Sequence, residues 1–418
     1  MVKRGSVKRS EIRICVVFAG WMQYNFLRTP FHFSKRRDMN THHKIRRLIL
    51  ASVLLVVLTA CAAAGEPAST DELVTASGFA CPEPSPRVEF ESDEINIYTW
   101  AEYVPADIFD CFGMVYDVTV NVDYFSSNEE LYSKVSLGEG INPYDVIHPS
   151  DYMIGVLIRE GLLQKMDASR IPNLANLDAG LTAAYGETLD YIAPYQMGTQ
   201  AIIYNTETVE TPPTSWADLW NPEYKGRIVA VDDSRVIIGA TLLTLGYSVN
   251  ETDPDHLEEA KEKLLELMPN IRVFDSDSPK TPLVAGDVDL GIVWNGEAFL
   301  TQTEDPRFEY VFPEEGSIIF YDGMAIPPAA PHPDAAYAWL NYLLQGNINW
   351  LTLVDYPYTN PNKAALDYAK ESQPEVYEAY ISSPITNTPA EEFARGHEVT
   401  DLGADLLLYD ELWTEVKQ

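Results

Sequence analysis

Apolar and polar positions alternate with a period of two in several short runs of this chain and with a period near 3.6 in others. Ile95-Asn96-Ile97-Tyr98-Thr99-Trp100, bounded by acidic and turn residues, predicts a first strand. Pro105 to Tyr116 predicts a helix, Thr119 to Tyr124 a second strand, and Asn128 to Val135 a helix that Ser127 is placed to cap. Tyr144 to His148 reads as a third strand, and Tyr152 to Glu160 as the helix after it. Further on, Arg227 to Val231, Leu290 to Trp294 and Ile318 to Tyr321 read as strands. The clearest helix opens at Asp253-Pro254, a capping acid followed by a proline at the first helical position. It carries Leu257, Ala260, Leu264 and Leu267 on one stripe and stops at Pro269. Ala335 to Leu344 is another amphipathic helix. Strands alternating with helices over this length predict α/β lobes with mixed, mostly parallel sheets.

The start of the chain follows a different pattern. Met39 to Arg47 is basic, and Leu48 to Ala60 is an apolar run of thirteen residues. That run is too short to span a bilayer but fits the core of a signal peptide. Leu58-Thr59-Ala60-Cys61 resembles the lipobox of bacterial lipoproteins. The resemblance implies cleavage before Cys61, lipid on its thiol and attachment to a membrane surface. Residues 39–60 are therefore expected to be a signal peptide. Residues 61–92, rich in Ala, Ser, Thr, Glu and Pro, are expected to be a flexible tether. Residues 1–38 hold nine Lys or Arg, fit no exported domain and read as a misplaced translation start. What remains is long for a single core, so two domains are expected.

Charge narrows the range of partners. After residue 60 the chain has 61 acidic against 17 basic residues. Such a surface excludes binding to nucleic acid or to an anionic membrane face by charge, and it concentrates cations. Most of these carboxylates serve as a solvated coat. With Cys61 lipidated, Cys81 and Cys111 are an even pair in an exported protein; a disulfide and two independent thiols both remain open.

Carboxylates stand beside aromatic rings at Trp100-Ala101-Glu102-Tyr103, Ser150-Asp151-Tyr152 and Phe320-Tyr321-Asp322, while Asp233 and Trp294 fall at strand ends. Ring faces attract cations and pack methylenes, and carboxylates fix ammonium groups. The pattern suits a ligand that is apolar in the middle and positive at its ends. By strand alternation, Thr99 and Tyr321 point away from the faces of Trp100 and Asp322. Asp151 reads as solvent-facing, and Trp216 and Trp220 as packing residues. No GxSxG, HExxH, GxGxxG or phosphate loop is present. Asp275-Ser276-Asp277 and Asp287-Val288-Asp289 lack the full calcium-loop pattern, so no metal or other cofactor is expected.

An ordered set of motifs resembles the bacterial spermidine/putrescine-binding proteins of ABC importers. It comprises Tyr98 to Pro105, Ser127-Asn128-Glu129, Pro149 to Tyr152, Thr214 to Gly226, Asp232 to Arg235, Leu245 to Ser248 and Ile292 to Gly296. The resemblance implies a two-lobed Venus flytrap fold of the periplasmic-binding-protein type. One lobe would take residues 93–198 and 321–370, the other 199–320 and 371–418. It also implies a monomer that delivers a polyamine to permease subunits and is not an enzyme. Carried over by position, Trp100, Tyr103, Tyr152, Trp294, Phe320 and Tyr356 would line the slot. Glu102, Asp233 and Asp322 would meet ammonium groups, with Ser150 adding a hydrogen bond. Three positions depart from the family: Val236 replaces a glutamate, Val399 a glutamine and Phe320 a tryptophan. The valines remove polar contacts, which favours a diamine such as putrescine over spermidine. Alternative readings are a binder of another small cation or ferric ion, a polyamine sensor, and an extracytoplasmic carbohydrate-active enzyme.

Overall fold

Ile95 and Ile97 are fully buried on one face of the first strand and Tyr98 on the other, so this strand is covered on both sides. The computed structural model describes residues 73–137 and 143–418. The expected misplaced start, signal peptide and Cys61, which fall in residues 1–72, lie outside the described residues. Among the described residues ten strands form one sheet: β1 (Glu94–Trp100), β2 (Thr119–Phe125), β3 (Val146–Ile147), β4 (Ile192–Asn205), β5 (Ile228–Ala230), β6 (Ile271–Phe274), β7 (Leu290–Trp294), β8 (Phe308–Val311), β9 (Ile318–Ala325) and β10 (His397–Glu398). Their order is β2-β1-β3-β9-β4-β7-β5-β6, with β10 beside β9 and β8 beside β4.

The pairing explains why two lobes arise from one sheet. β1 runs parallel to β2 and β3 at one end, and β5 runs parallel to β6 and β7 at the other. Between them, β4 pairs antiparallel with both β9 and β7. All fourteen residues of β4 and all eight of β9 are buried, so these two strands form the joint through which the lobes connect. The sheet is mixed, as expected, but its centre is antiparallel.

Capping chemistry fixes several helix starts. The Ser127 side chain accepts the Glu130 N–H, and the Asp253 side chain accepts the Asp255 N–H ahead of Pro254–Leu267. Leu257, Ala260, Leu264 and Leu267 are the buried stripe of that helix. In the first lobe, Phe109 stacks on Trp339 with ring centroids 5.2 Å apart.

Two stretches depart from the sequence reading. Residues 73–92, expected to belong to a tether, pack as a belt on the first lobe. Cys81 and Cys111 form a disulfide. Tyr342 donates to the Pro82 carbonyl, Asn341 to that of Pro86 and Gln345 to that of Glu83, while Phe90 stacks on Phe112 at 6.1 Å. Low hydropathy hid this belt because its few apolar anchors, Phe79, Val88 and Phe90, show no period and much of its attachment comes from backbone carbonyls. Helix Pro374–Ser382, placed by sequence in the second lobe, instead packs on first-lobe helix Lys363–Ser372. Its Tyr380 is buried in the core that holds Trp339.

Candidate functional site

Parallel strands leave their carboxyl ends on one edge, where loops can converge on a ligand. Trp100 is the last residue of β1 and Trp294 the last of β7, while Ser150 follows β3 and Asp233 follows β5. These residues meet at one cavity whose space, including the part open to solvent, is about 680 Å³. Its rings interlock. Trp294 meets Phe320 edge-on at 5.7 Å, and Phe320 meets Tyr358 edge-on at 5.8 Å. Gly198 pairs with Phe320 across β4 and β9; a Cβ there would collide with Asn295 Oδ1 and the Phe320 ring. The glycine therefore sets the position of one wall.

The acids of the cavity are held in different ways. Asp322 is buried on β9, and its Oδ2 accepts the Tyr103 hydroxyl at 2.6 Å. Its Oδ1 has no hydrogen-bond partner among the described residues. Burial pushes this carboxyl up to about 7 against the lowering effect of its hydrogen bonds. Asp233 caps helix Ser234–Thr244 by accepting the Arg235 and Val236 N–H groups. Burial, aided by the charge of Glu129, moves it up to about 6. Asp151 opens helix Asp151–Arg159; burial holds it well above the usual carboxylate range, with the charges of Asp322 and Asp233 adding to the effect. Arg235 is the one basic side chain on the wall among the described residues; it donates to the Thr400 carbonyl and Asn250 Oδ1 and lies 5.2 Å from the Tyr152 ring centre. Tyr152 in turn donates to Glu129 Oε1 at 2.8 Å.

Of the residues singled out in the sequence, Trp100, Tyr103, Ser150, Tyr152, Asp233, Trp294, Phe320 and Asp322 come together on this wall. Glu102 and Tyr356 do not. Glu102 is exposed in a left-handed turn at φ 47°, and its charge acts on Lys280, the buried Glu297 and Tyr356. That group forms a separate acidic flank, where burial moves Glu297 up to about 7. Tyr358, two residues on from Tyr356, supplies the ring, and Tyr380 fixes it by donating to the Tyr358 carbonyl at 2.6 Å. Asp151, read as solvent-facing, lines the cavity, because a helix start turns successive residues by about 100° rather than alternating them. Sequence reasoning also missed Gln200, whose buried Oε1 lacks a partner among the described residues, together with Arg235, Ser276 and Asp277. The alternation of β9 does place Tyr321 off the wall, where it donates to Glu398. Trp216 and Trp220 are likewise not on the wall, with Trp216 fully buried. Val236 and Val399, the positions at which the resemblance implies a departure, both line the cavity.

Two α/β lobes joined by a pair of long strands, with a ring- and acid-lined cavity at the strand ends, define a two-lobed solute-binding protein. The chain belongs to the family described as bacterial extracellular solute-binding protein, which it matches over residues 108–380. It is 35% identical over 329 residues to the spermidine/putrescine-binding periplasmic protein of Salmonella typhimurium, covering 78% of this chain and 92% of that one. Among solved structures, a putative spermidine/putrescine ABC transporter protein from Listeria monocytogenes superposes with a TM-score of 0.73 at 29% identity, covering 78% of this chain and 99% of that one. A lipoprotein of Treponema pallidum gives a TM-score of 0.67 at 26% identity, with the same coverage of 78% and 99%.

Proposed function

We propose that this chain captures a polyamine outside the cytoplasm and hands it to the permease subunits of an ABC importer. It acts as a monomer without a cofactor, held to the membrane surface by lipid on Cys61. The observation that carries the reading is the cavity in which four carboxylates, Asp151, Asp233, Asp277 and Asp322, share a wall with Trp100, Trp294, Phe320 and Tyr358. Rings stack on methylenes and acids pair with ammonium groups, so an α,ω-diamine or a longer polyamine satisfies both at once. The apolar surfaces of Val236 and Val399 favour the shorter diamine. The polyamine ligands named for the Salmonella relative and the lipoprotein nature of the Treponema one support the same reading.

A thermal-shift series with putrescine, spermidine, agmatine and ferric citrate tests it. A ligand at 100 times its Kd stabilises by about 2.7 kcal/mol, which raises Tm measurably. Putrescine is expected to give the largest shift. A chain that responds to none of the amines is not a polyamine-binding protein, and a response to ferric citrate alone would favour the metal reading.

A further inference from the structure

Ser150 and Asp322 face each other in an isolated antiparallel bridge, which brings the start of helix Asp151–Arg159 against β9. Asp151 and Asp322 therefore enter the same cavity from adjacent backbone positions. Each has one oxygen engaged: Asp151 Oδ1 accepts the Tyr152 N–H at 2.6 Å, and Asp322 Oδ2 accepts the Tyr103 hydroxyl. Asp322 Oδ1 is fully buried without a hydrogen-bond partner among the described residues, and the neighbouring Ser150 side chain is the other donor that acts on this carboxyl. Asp233 adds a third acid nearby. Arg235, the one wall cation among the described residues, donates to Thr400 and Asn250 and leaves its buried Nε without a partner, while its charge partly offsets those of Asp151 and Asp233. Four carboxylates, Asp151, Asp233, Asp277 and Asp322, against one guanidinium in the same cavity, with unfilled acceptor positions, leave a place for a positive group from outside.

We propose that Asp151 is a ligand-holding carboxylate and that, together with Asp322, it clamps one protonated nitrogen of the bound amine. This inference rests on the polyamine reading above. It moves polar recognition away from helix Ser234–Thr244, where Val236 presents only methyl groups, to the opposing helix Asp151–Arg159 of the first lobe. Asp151 thereby becomes a specificity-determining residue of this chain. The competing role for an acid in a first helical turn is to stabilise the helix N-terminus. Asparagine separates the two roles, since its carbonyl still accepts the Tyr152 N–H while the charge is gone.

The test is isothermal titration of the purified chain and its Asp151→Asn and Asp151→Glu variants with putrescine and with spermidine at pH 7.5. Thermal melts of each ligand-free protein are recorded alongside. Asp151→Asn is expected to weaken the tighter-binding amine by roughly 10- to 100-fold, as for loss of a hydrogen bond to a charged group. Its ligand-free Tm should be unchanged or raised, and Asp151→Glu should retain most of the affinity. A change under about threefold in Asp151→Asn overturns the proposal, as does a loss of affinity that tracks a lowered ligand-free Tm. Failure of the unsubstituted chain to bind either amine overturns the polyamine reading itself and this clamp with it, and that outcome is visible before any variant is compared.

Discussion

Replacing Asp322 by asparagine separates its charge from its shape. The side chain is buried and Tyr103 still has an oxygen to donate to, so the fold should survive. If an ammonium group sits against the free Oδ1, losing the charge breaks a buried ion pair at a cost of about 3–5 kcal/mol, or roughly 100- to 5000-fold in Kd. The pH dependence gives a sharper signature. With the carboxyl at about 7 in the empty cavity, a cation must displace a proton below that pH. Affinity from this group then falls about 50-fold between pH 7 and pH 5. The variant loses that component and keeps those of Asp233, near 6, and of Asp151, which burial also holds well above the usual carboxylate range. Stability of the ligand-free protein runs the other way. The folded carboxyl binds its proton more tightly than the unfolded one, so its contribution is greatest at low pH and is lost as pH rises from about 4 to about 7. Above that range asparagine should stabilise the empty protein, by up to roughly 4 kcal/mol at pH 8. Calorimetric titrations at pH 5, 6, 7 and 8 with matching melts read both effects. A variant that binds amine as tightly as the parent at pH 7.5, with an unchanged pH slope, would refute the reasoning.

The ring assignments separate in the same assay. Tyr358→Ala should weaken amine binding about tenfold or more, by removing a cation-facing ring and its packing against Phe320, whereas Tyr356→Ala should change it by less than about threefold. Equal effects would restore Tyr356 to the wall. Reducing the Cys81–Cys111 disulfide, which closes a 30-residue separation, should cost roughly 3–4 kcal/mol of stability, read as a lower Tm. Amine affinity below the melting range should stay the same, because neither cysteine lines the cavity.

The parts of the fold legible in the sequence were those with one solvated face or a cap. β2, with its exposed alternate positions, and the Asp253-capped helix are examples. β4 was not legible. Buried along its whole length, it shows no alternation, and Pro194, Gln196 and Gln200 break its apolar character. Pro194 is tolerated because the register between β4 and β9 shifts between Pro194 and Met197. At the site, residues at the ends of regular strands could be found from position alone. Asp151 could not, since the rule of alternation ends where its helix begins. Tyr358 lies in an irregular segment after Pro357, where no period says which of two tyrosines turns inward. Helix Pro374–Ser382 buries only Tyr380, too little signal to assign it to a lobe.

The location of Asp322 on β9 also bears on the time course of capture. β9 belongs to the joint between the lobes and touches the first lobe directly through β3 and through Ser150. Its carboxylate is therefore fixed to the same lobe as Trp100 and Tyr103, and a hinge between the lobes would leave the three together. Asp233 stands on the opposite half of the sheet, so a hinge closure of the kind two-lobed binding proteins use would bring it to the ligand last. Encounter and residence are thus assigned to different strands. In stopped-flow measurements, substitution of Asp322 should mainly slow association, whereas substitution of Asp233 should mainly shorten the lifetime of the complex.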